Sequence, residues 1–172
     1  MLTEDDAMTN DDELIEAEQD SFLSAYAQGI YEEIHEKCGH CSISPSTGLS
    51  YELEFETVCD FSVTLLGSDT NNGDCVSAFL CIGGDLYMTS SDRCTPEEFR
   101  DRITELISSI AGNIITVRQV VKKHLSRETE FLVMQNGELK SVYTETKTKG
   151  LAAKLFLWKD RSDERSYDLN FK

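Results

Sequence analysis

From Thr95 to Leu125 the apolar residues Phe99, Ile103, Leu106, Ile107, Ile110, Ile114, Val117, Val121 and Leu125 recur at steps of three and four. At about 100° per residue this spacing gathers them on one face and predicts one long amphipathic helix packed on a core. Thr95 suits the N-cap, Pro96 the first helical position, and Glu97 and Glu98 the positive end of the helix dipole. Lys122, Lys123 and His124 fall near the opposite end, where positive charge is favoured. The face turned from the core carries Asp101, Glu105, Ser108 and Gly112, at spacings of four, three and four, which predicts a narrow exposed stripe.

Upstream, Leu14, Ile15, Phe22, Leu23, Tyr26, Ile30 and Ile34 mark the buried side of a first helix from about Asp12 to Lys37. Glu32, Glu33 and Glu36 lie on its wet side, and Gly39 supplies a C-terminal stop. Ser42 to Ser50 reads as a Pro/Ser/Gly loop. Tyr51 to Val58 then alternates, with Tyr51, Leu53 and Phe55 on one side and Glu52, Glu54 and Glu56 on the other, a half-buried strand. Further strands are expected over Phe61–Leu66, Val76–Ile82 and, after Gly83-Gly84, Leu86–Thr89. The segment Ser68–Asp74 reads as a turn around its Asn-Gly pair.

Beyond the long helix, Phe131–Met134 and Leu139–Tyr143 flank Asn136-Gly137 as a hairpin. Leu151–Trp158 and Tyr167–Phe171 read as a last strand pair around a charged turn, Lys159 to Arg165. Two principal helices and seven or eight strands, many joined by hairpin turns, predict an α+β fold. Its sheet is expected to be mainly antiparallel, with both helices packed on one face. Residues 1–12 are acidic and without periodicity, so a disordered tail is expected there, with a single domain over 13–172.

Charge changes the picture more than length does. The chain of 172 residues has a net charge of −16, unevenly spread. Residues 1–92 hold 20 Asp/Glu against Lys37 alone, whereas residues 93–172 hold 12 acids and 15 Lys/Arg. Binding of nucleic acid through a basic groove is therefore not expected, because phosphate attraction needs the opposite sign. An acidic surface suits solubility, a basic protein partner or mimicry of nucleic acid. No apolar run approaches membrane-spanning length and the first residues lack the pattern of a secretory signal, so no membrane association and a cytoplasmic location are expected.

Six cysteines stand at 38, 41, 59, 75, 81 and 94, and reduced thiols are expected. Cys38-Gly39-His40-Cys41 matches the CGHC motif of thioredoxin-like disulfide isomerases. Here it follows a helix, whose C-terminus disfavours a thiolate, so redox catalysis is not expected. The same cysteines with His35 or His40 could supply three zinc ligands, but zinc needs four and no second CxxC exists. No metal and no cofactor are expected. Neither a nucleophile elbow nor a phosphate-cradling glycine loop is present.

The helix stripe is the remaining candidate. Ser108, Ser109, Gly112 and Asn113 are poor helix formers clustered together, and small residues there leave a depression that could receive a partner's backbone. The run Asp101-Arg-Ile-Thr-Glu105-Leu-Ile-Ser108-Ser-Ile-Ala-Gly112-Asn113 resembles the signature helix of the CheC/CheX/FliY family, which dephosphorylates the chemotaxis response regulator CheY. The family pattern is approximately Asp-x-x-x-Glu-x-x-Asn-x-x-x-Gly. The resemblance implies a CheX-like α+β domain and a receiver-domain partner of the CheY kind. It further implies that Glu105 pairs with a receiver lysine and that Asp101, Ser109 and Gly112 belong to the contact surface. Ser108 stands where the family has the Asn that orients the attacking water. A hydroxyl cannot present an oxygen and an NH₂ together, so the resemblance implies receiver binding with weakened or lost hydrolysis. A homodimer is left open. The other reading is a non-enzymatic acidic interaction protein, of secretion-chaperone or inhibitor type, that meets a basic partner through its acidic first half.

Overall fold

The computed structural model describes residues 9–46, 50–70, 73–91, 94–122, 126–148 and 161–172. Helix α1 (Thr9–Cys38) is followed by strands β1 (Cys41–Pro45), β2 (Ser50–Phe55), β3 (Phe61–Thr70), β4 (Gly73–Ile82) and β5 (Asp85–Ser90). Helix α2 (Pro96–Ile110) then leads to β6 (Ile114–Lys122), β7 (Ser126–Gln135), β8 (Glu138–Thr148) and β9 (Arg161–Asp168). The expected α+β class and antiparallel pairing hold, but the strands form two sheets rather than one. The first is a five-stranded meander in chain order, and the second has the order β8-β7-β6-β9.

Alternation along the meander turns Leu53, Val63, Leu65, Val76, Ala78, Leu80 and Ile82 inward, all buried. From α1, Leu23, Ala27, Ile30 and Ile34 join them at helical spacing, and from α2, Phe99, Ile103, Leu106, Ile107 and Ile110. The two helices touch each other as well. Tyr26 donates its hydroxyl to the Pro96 carbonyl at 2.6 Å, and Arg100 forms an ion pair with Glu33. The Arg100 guanidinium lies so close over Gly29 that an added Cβ would meet it at 2.9 Å. Helix α2 also contacts the second sheet, whose inner face contributes Ile115, Val117, Phe131, Val133 and Tyr167 to the same core.

The start of α2 follows its local sequence. Thr95 caps the helix in extended geometry and accepts from the Glu98 amide at 3.2 Å, while the Glu98 carboxylate accepts from the Thr95 amide at 2.9 Å. This reciprocal box satisfies two amides that a helix start leaves without partners.

The end of α2 departs from the expected Leu125. Ala111 leaves the helix with ψ 135°, and Gly112 takes φ +76°, a region open to glycine. The chain then runs as β6, an inner strand of the second sheet, paired with β7 on one side and β9 on the other. Ile115, Val117 and Val121 are buried at a strand's even spacing, whereas Ile114, expected in the core, is 50% exposed. The β-branched run Ile114-Ile115-Thr116-Val117 fits a pleated, half-buried surface, and pairing along both edges overrides the coincidental helical spacing. Lys122 accordingly ends a strand, while Lys123, His124 and Leu125 lie outside the described residues.

Three smaller expectations also change. The Ser42–Ser50 loop contains β1, held by pairing with β2 from Cys41↔Phe55 to Pro45↔Tyr51. The charged turn Lys159–Arg165 overlaps β9, and the expected strand Leu151–Trp158 lies outside the described residues. Helix α1 begins at Thr9, so the last four residues of the expected tail are helical, while residues 1–8 and the side chains of Leu14 and Ile15 lie outside the described part. Gly39 does end α1, at φ +69°, with its amide on the His35 carbonyl at 2.9 Å. The Asn136-Gly137 hairpin is present, both residues having positive φ as a tight two-residue turn needs. The other expected turn centres on Asn71 and Asn72, which lie outside the described residues, with Thr70 and Gly73 paired on either side.

The last residues tie the two sheets together. The Leu169 carbonyl accepts from the Gly112 amide at 2.8 Å, and the Leu169 amide donates to the Asn113 carbonyl at 2.9 Å. The Val58 amide donates to the Asn170 carbonyl at 2.9 Å, and Thr57 and Phe171 form a β-bridge. Between β5 and β9, the Tyr87 and Tyr167 hydroxyls lie 2.6 Å apart. Tyr167 donates to Asp85 at 2.6 Å, and Arg165 pairs with the same carboxylate.

Candidate functional site

On α2 the expected stripe divides. Asp101 and Glu105 are exposed, one turn apart, on the side away from both sheets. Ser108 is half-buried and its Oγ is fully enclosed, with no hydrogen-bond partner. Thr104 Oγ1 is in the same condition. Arg100, Thr104 and Ser108 follow at steps of four along one flank, the flank that Arg100 presents to Gly29 and Glu33 of α1. The Ser108 hydroxyl is thus withdrawn from the surface where Glu105 stands.

Gly112 and Ser109 change their meaning too. Gly112 lies past the helix end, and the Phe171 ring covers it, so the expected depression for a partner's backbone is filled from within. Ser109 is half-buried, and its carbonyl accepts from the Asn113 side-chain amide at 3.0 Å. The same amide nitrogen lies 3.3 Å from the Ala111 carbonyl, so Asn113 caps the helix end. Arg102 is held at Tyr143, donating to its hydroxyl at 3.2 Å with the guanidinium 5.4 Å from the ring centre. The pair left open to a partner is Asp101 and Glu105, which can receive a cation.

The CGHC segment spans the end of α1 and the start of β1. Burial raises the Cys38 thiol above its ordinary value, and burial with the neighbouring Cys38 pushes Cys41 up to about 11. Both shifts hold the sulfurs as thiols, opposite to what an attacking cysteine needs. The His40 ring stacks on Phe171 at 4.5 Å. Among the described residues no three His, Cys, Asp or Glu side chains are grouped to hold a metal ion. Nor is any helix there long and apolar enough to cross a membrane.

The outer face of the five-stranded sheet is the feature that sequence reasoning passed over. Pairing sets two adjacent rows across it. One runs Ser42, Glu54, Ser62, Cys81, Leu86, and the next runs Ser44, Glu52, Thr64, Phe79, Met88. Both pass from hydroxyl to carboxylate to hydroxyl, and then to apolar side chains at β5. Leu86 is 64% exposed, Met88 47% and the neighbouring Leu66 38%. At the acidic side a cleft of about 380 Å³ is lined by Glu54, Glu56 and Asp60 together with Ser42, Ser62 and Cys81. Phe55 and Phe61, whose rings stack 4.5 Å apart in the core, also line it. The even alternation of Glu52, Glu54 and Glu56 marked this face as wet; that Phe79, Leu86 and Met88 share it follows only from strand register.

Comparison of the chain with known protein families, with characterised proteins and with solved structures found no match.

Proposed function

We propose that this protein is a non-enzymatic binding protein for a basic partner, which it meets through its acidic layer. One observation carries the reading. Residues 41–90, which build the five-stranded sheet, contain seven Asp/Glu and no Lys or Arg. Glu52, Glu54, Glu56 and Asp60 gather toward one side of that sheet, and none of them enters an ion pair among the described residues. The second sheet behaves differently. There Arg118 joins Glu164 at 2.9 Å and Glu130 at 3.2 Å, so acids and bases compensate within the chain. An uncompensated acidic surface gains by meeting positive charge, through faster encounter and rejection of acidic competitors.

The test is titration of the intact protein with a fluorescent lysine-rich peptide at low and high salt. Binding that weakens with salt and with Glu52→Gln plus Glu54→Gln is expected. Absence of binding at low salt overturns the reading.

A second reading rests on Asp101 and Glu105, exposed one turn apart on α2. It follows the resemblance to the CheX-like signature, under which Glu105 would pair with a lysine of a phosphorylated receiver domain. The enclosed Ser108 hydroxyl supports binding without hydrolysis, since it is withdrawn from the surface where it could orient water. Surface plasmon resonance with a phosphorylated receiver domain separates the two readings. Binding abolished by Glu105→Ala favours this one, and binding indifferent to Glu105 rules it out.

A further inference from the structure

We infer that the outer face of the five-stranded sheet docks a cationic amphipathic helix of a partner protein. This rests on the binding-protein reading above and names its surface and the form of its ligand.

The face is graded rather than uniform. Glu52 and Glu54 project from β2, and Leu86 and Met88 from β5, with Thr64 and Phe79 between them in register. Three strand spacings separate β2 from β5, about 14 Å. A helix with its side chains is about 10–12 Å across, so one helix laid along the strands covers the apolar side while its flank reaches the acids. The spacing along the strands fits as well. Glu52 and Glu54 are two residues apart, about 7 Å, as are Leu86 and Met88. Helical positions i and i+4 are about 6 Å apart along the axis, so Lys or Arg at that interval would face both carboxylates. The cleft lined by Glu54, Glu56 and Asp60 lies at the acidic margin, where a long basic side chain would end.

Charge selects this occupant over the others. A second copy of the same face brings Glu52 and Glu54 and no Lys or Arg of its strands to the contact, so face-to-face pairing would set carboxylates against each other or against apolar side chains. An anionic lipid surface is repelled by the same acids. The exposed Leu86 and Met88 disfavour a purely polar ligand, because burying them is where apolar contact would add affinity.

The experiment titrates the full chain with three labelled peptides: a helical Leu/Lys amphipathic peptide, a scramble of the same composition, and an oligolysine of equal charge. The amphipathic peptide is expected to bind at least about tenfold more tightly than either control. That advantage is expected to vanish in Leu86→Ser plus Met88→Ser, and binding of every peptide to weaken in Glu52→Gln plus Glu54→Gln. Circular dichroism and sedimentation of each variant report its fold and oligomeric state. Equal binding of all three peptides, unaffected by Leu86 and Met88, overturns the docking surface and leaves the acidic binding protein standing. No binding of any peptide at low salt overturns both. A dimer of the free protein that Leu86→Ser plus Met88→Ser makes monomeric assigns the face to a second copy and overturns this inference.

Discussion

Phe171 lies across Gly112 so closely that a methyl group on the Gly112 α-carbon would sit 2.6 Å from its ring. Gly112 also has φ +76°, so a side chain there is both strained and obstructed. Gly112→Ala is expected to destabilise the fold by about 2–3 kcal/mol, combining left-handed strain with displacement of the ring. Phe171→Ala removes the obstruction, so in chemical denaturation the double variant should lose less than the sum of the two single ones.

The enclosed hydroxyls of Thr104 and Ser108 have no partner to offset their lost hydration. Thr104→Val keeps the shape and removes the polar atom, and a gain of about 1 kcal/mol is expected. Ser108→Asn forces a larger amide into the same enclosed site. It is expected to cost about 1–3 kcal/mol and to confer no phosphatase activity. Urea denaturation and phosphate release from a receiver domain check the two halves.

Asp85 carries the link between β5 and β9. The hydrogen bond from Tyr167, then that from Arg165, holds its carboxyl below the ordinary 3.8. A carboxyl lowered in the folded state contributes stability that is fully present above its unfolded value and fades as pH falls through the folded value. Thermal melting of wild type and Asp85→Asn should therefore differ by a constant amount from neutral pH down to about pH 5. The difference should begin to narrow below 3.8, where the unfolded chain takes up the proton first, and the contribution is lost as pH falls through the lowered folded value.

Alkylation reports on the CGHC segment. Cys41, pushed up from 9.0 to about 11, has two powers of ten less thiolate at neutral pH than an ordinary cysteine. Labelling of folded protein with iodoacetamide, read by mass spectrometry, should be about 100-fold slower at Cys41 than after unfolding in denaturant.

What the sequence disclosed was local chemistry. Thr95, Pro96 and Glu98 declared the start of α2 because a capping box needs only four consecutive residues, and Asn136-Gly137 declared a turn in the same way. The end of α2 was hidden because Ile114, Val117 and Val121 satisfy a helical and a strand pattern in part, and the choice was made by β7 and β9, distant in sequence. Strand β9 had no apolar signature at all. One of its eight residues, Tyr167, is buried, and its place is fixed by pairing with β6 and by contacts such as Arg118 to Glu164. The enclosure of Ser108 was hidden for a related reason. A helical projection identifies which positions share a flank, but which of them are enclosed depends on tertiary packing. The graded outer face was likewise invisible until register set β2, β3, β4 and β5 side by side.

The two sheets also differ in electrical character, and this affects how the molecule moves before it touches anything. Residues 41–90, which build the first sheet, carry a net −7, whereas the strands of the second sheet hold seven Lys/Arg and seven Asp/Glu, so the charge of the two sheets is polarised rather than spread evenly. Such a body has a permanent dipole moment. In the field of a cationic neighbour it tumbles with a preferred heading, acidic layer first, while still a Debye length or so away. A larger share of random collisions would then arrive in productive orientation, a kinetic advantage that needs no additional contact and disappears as salt is added.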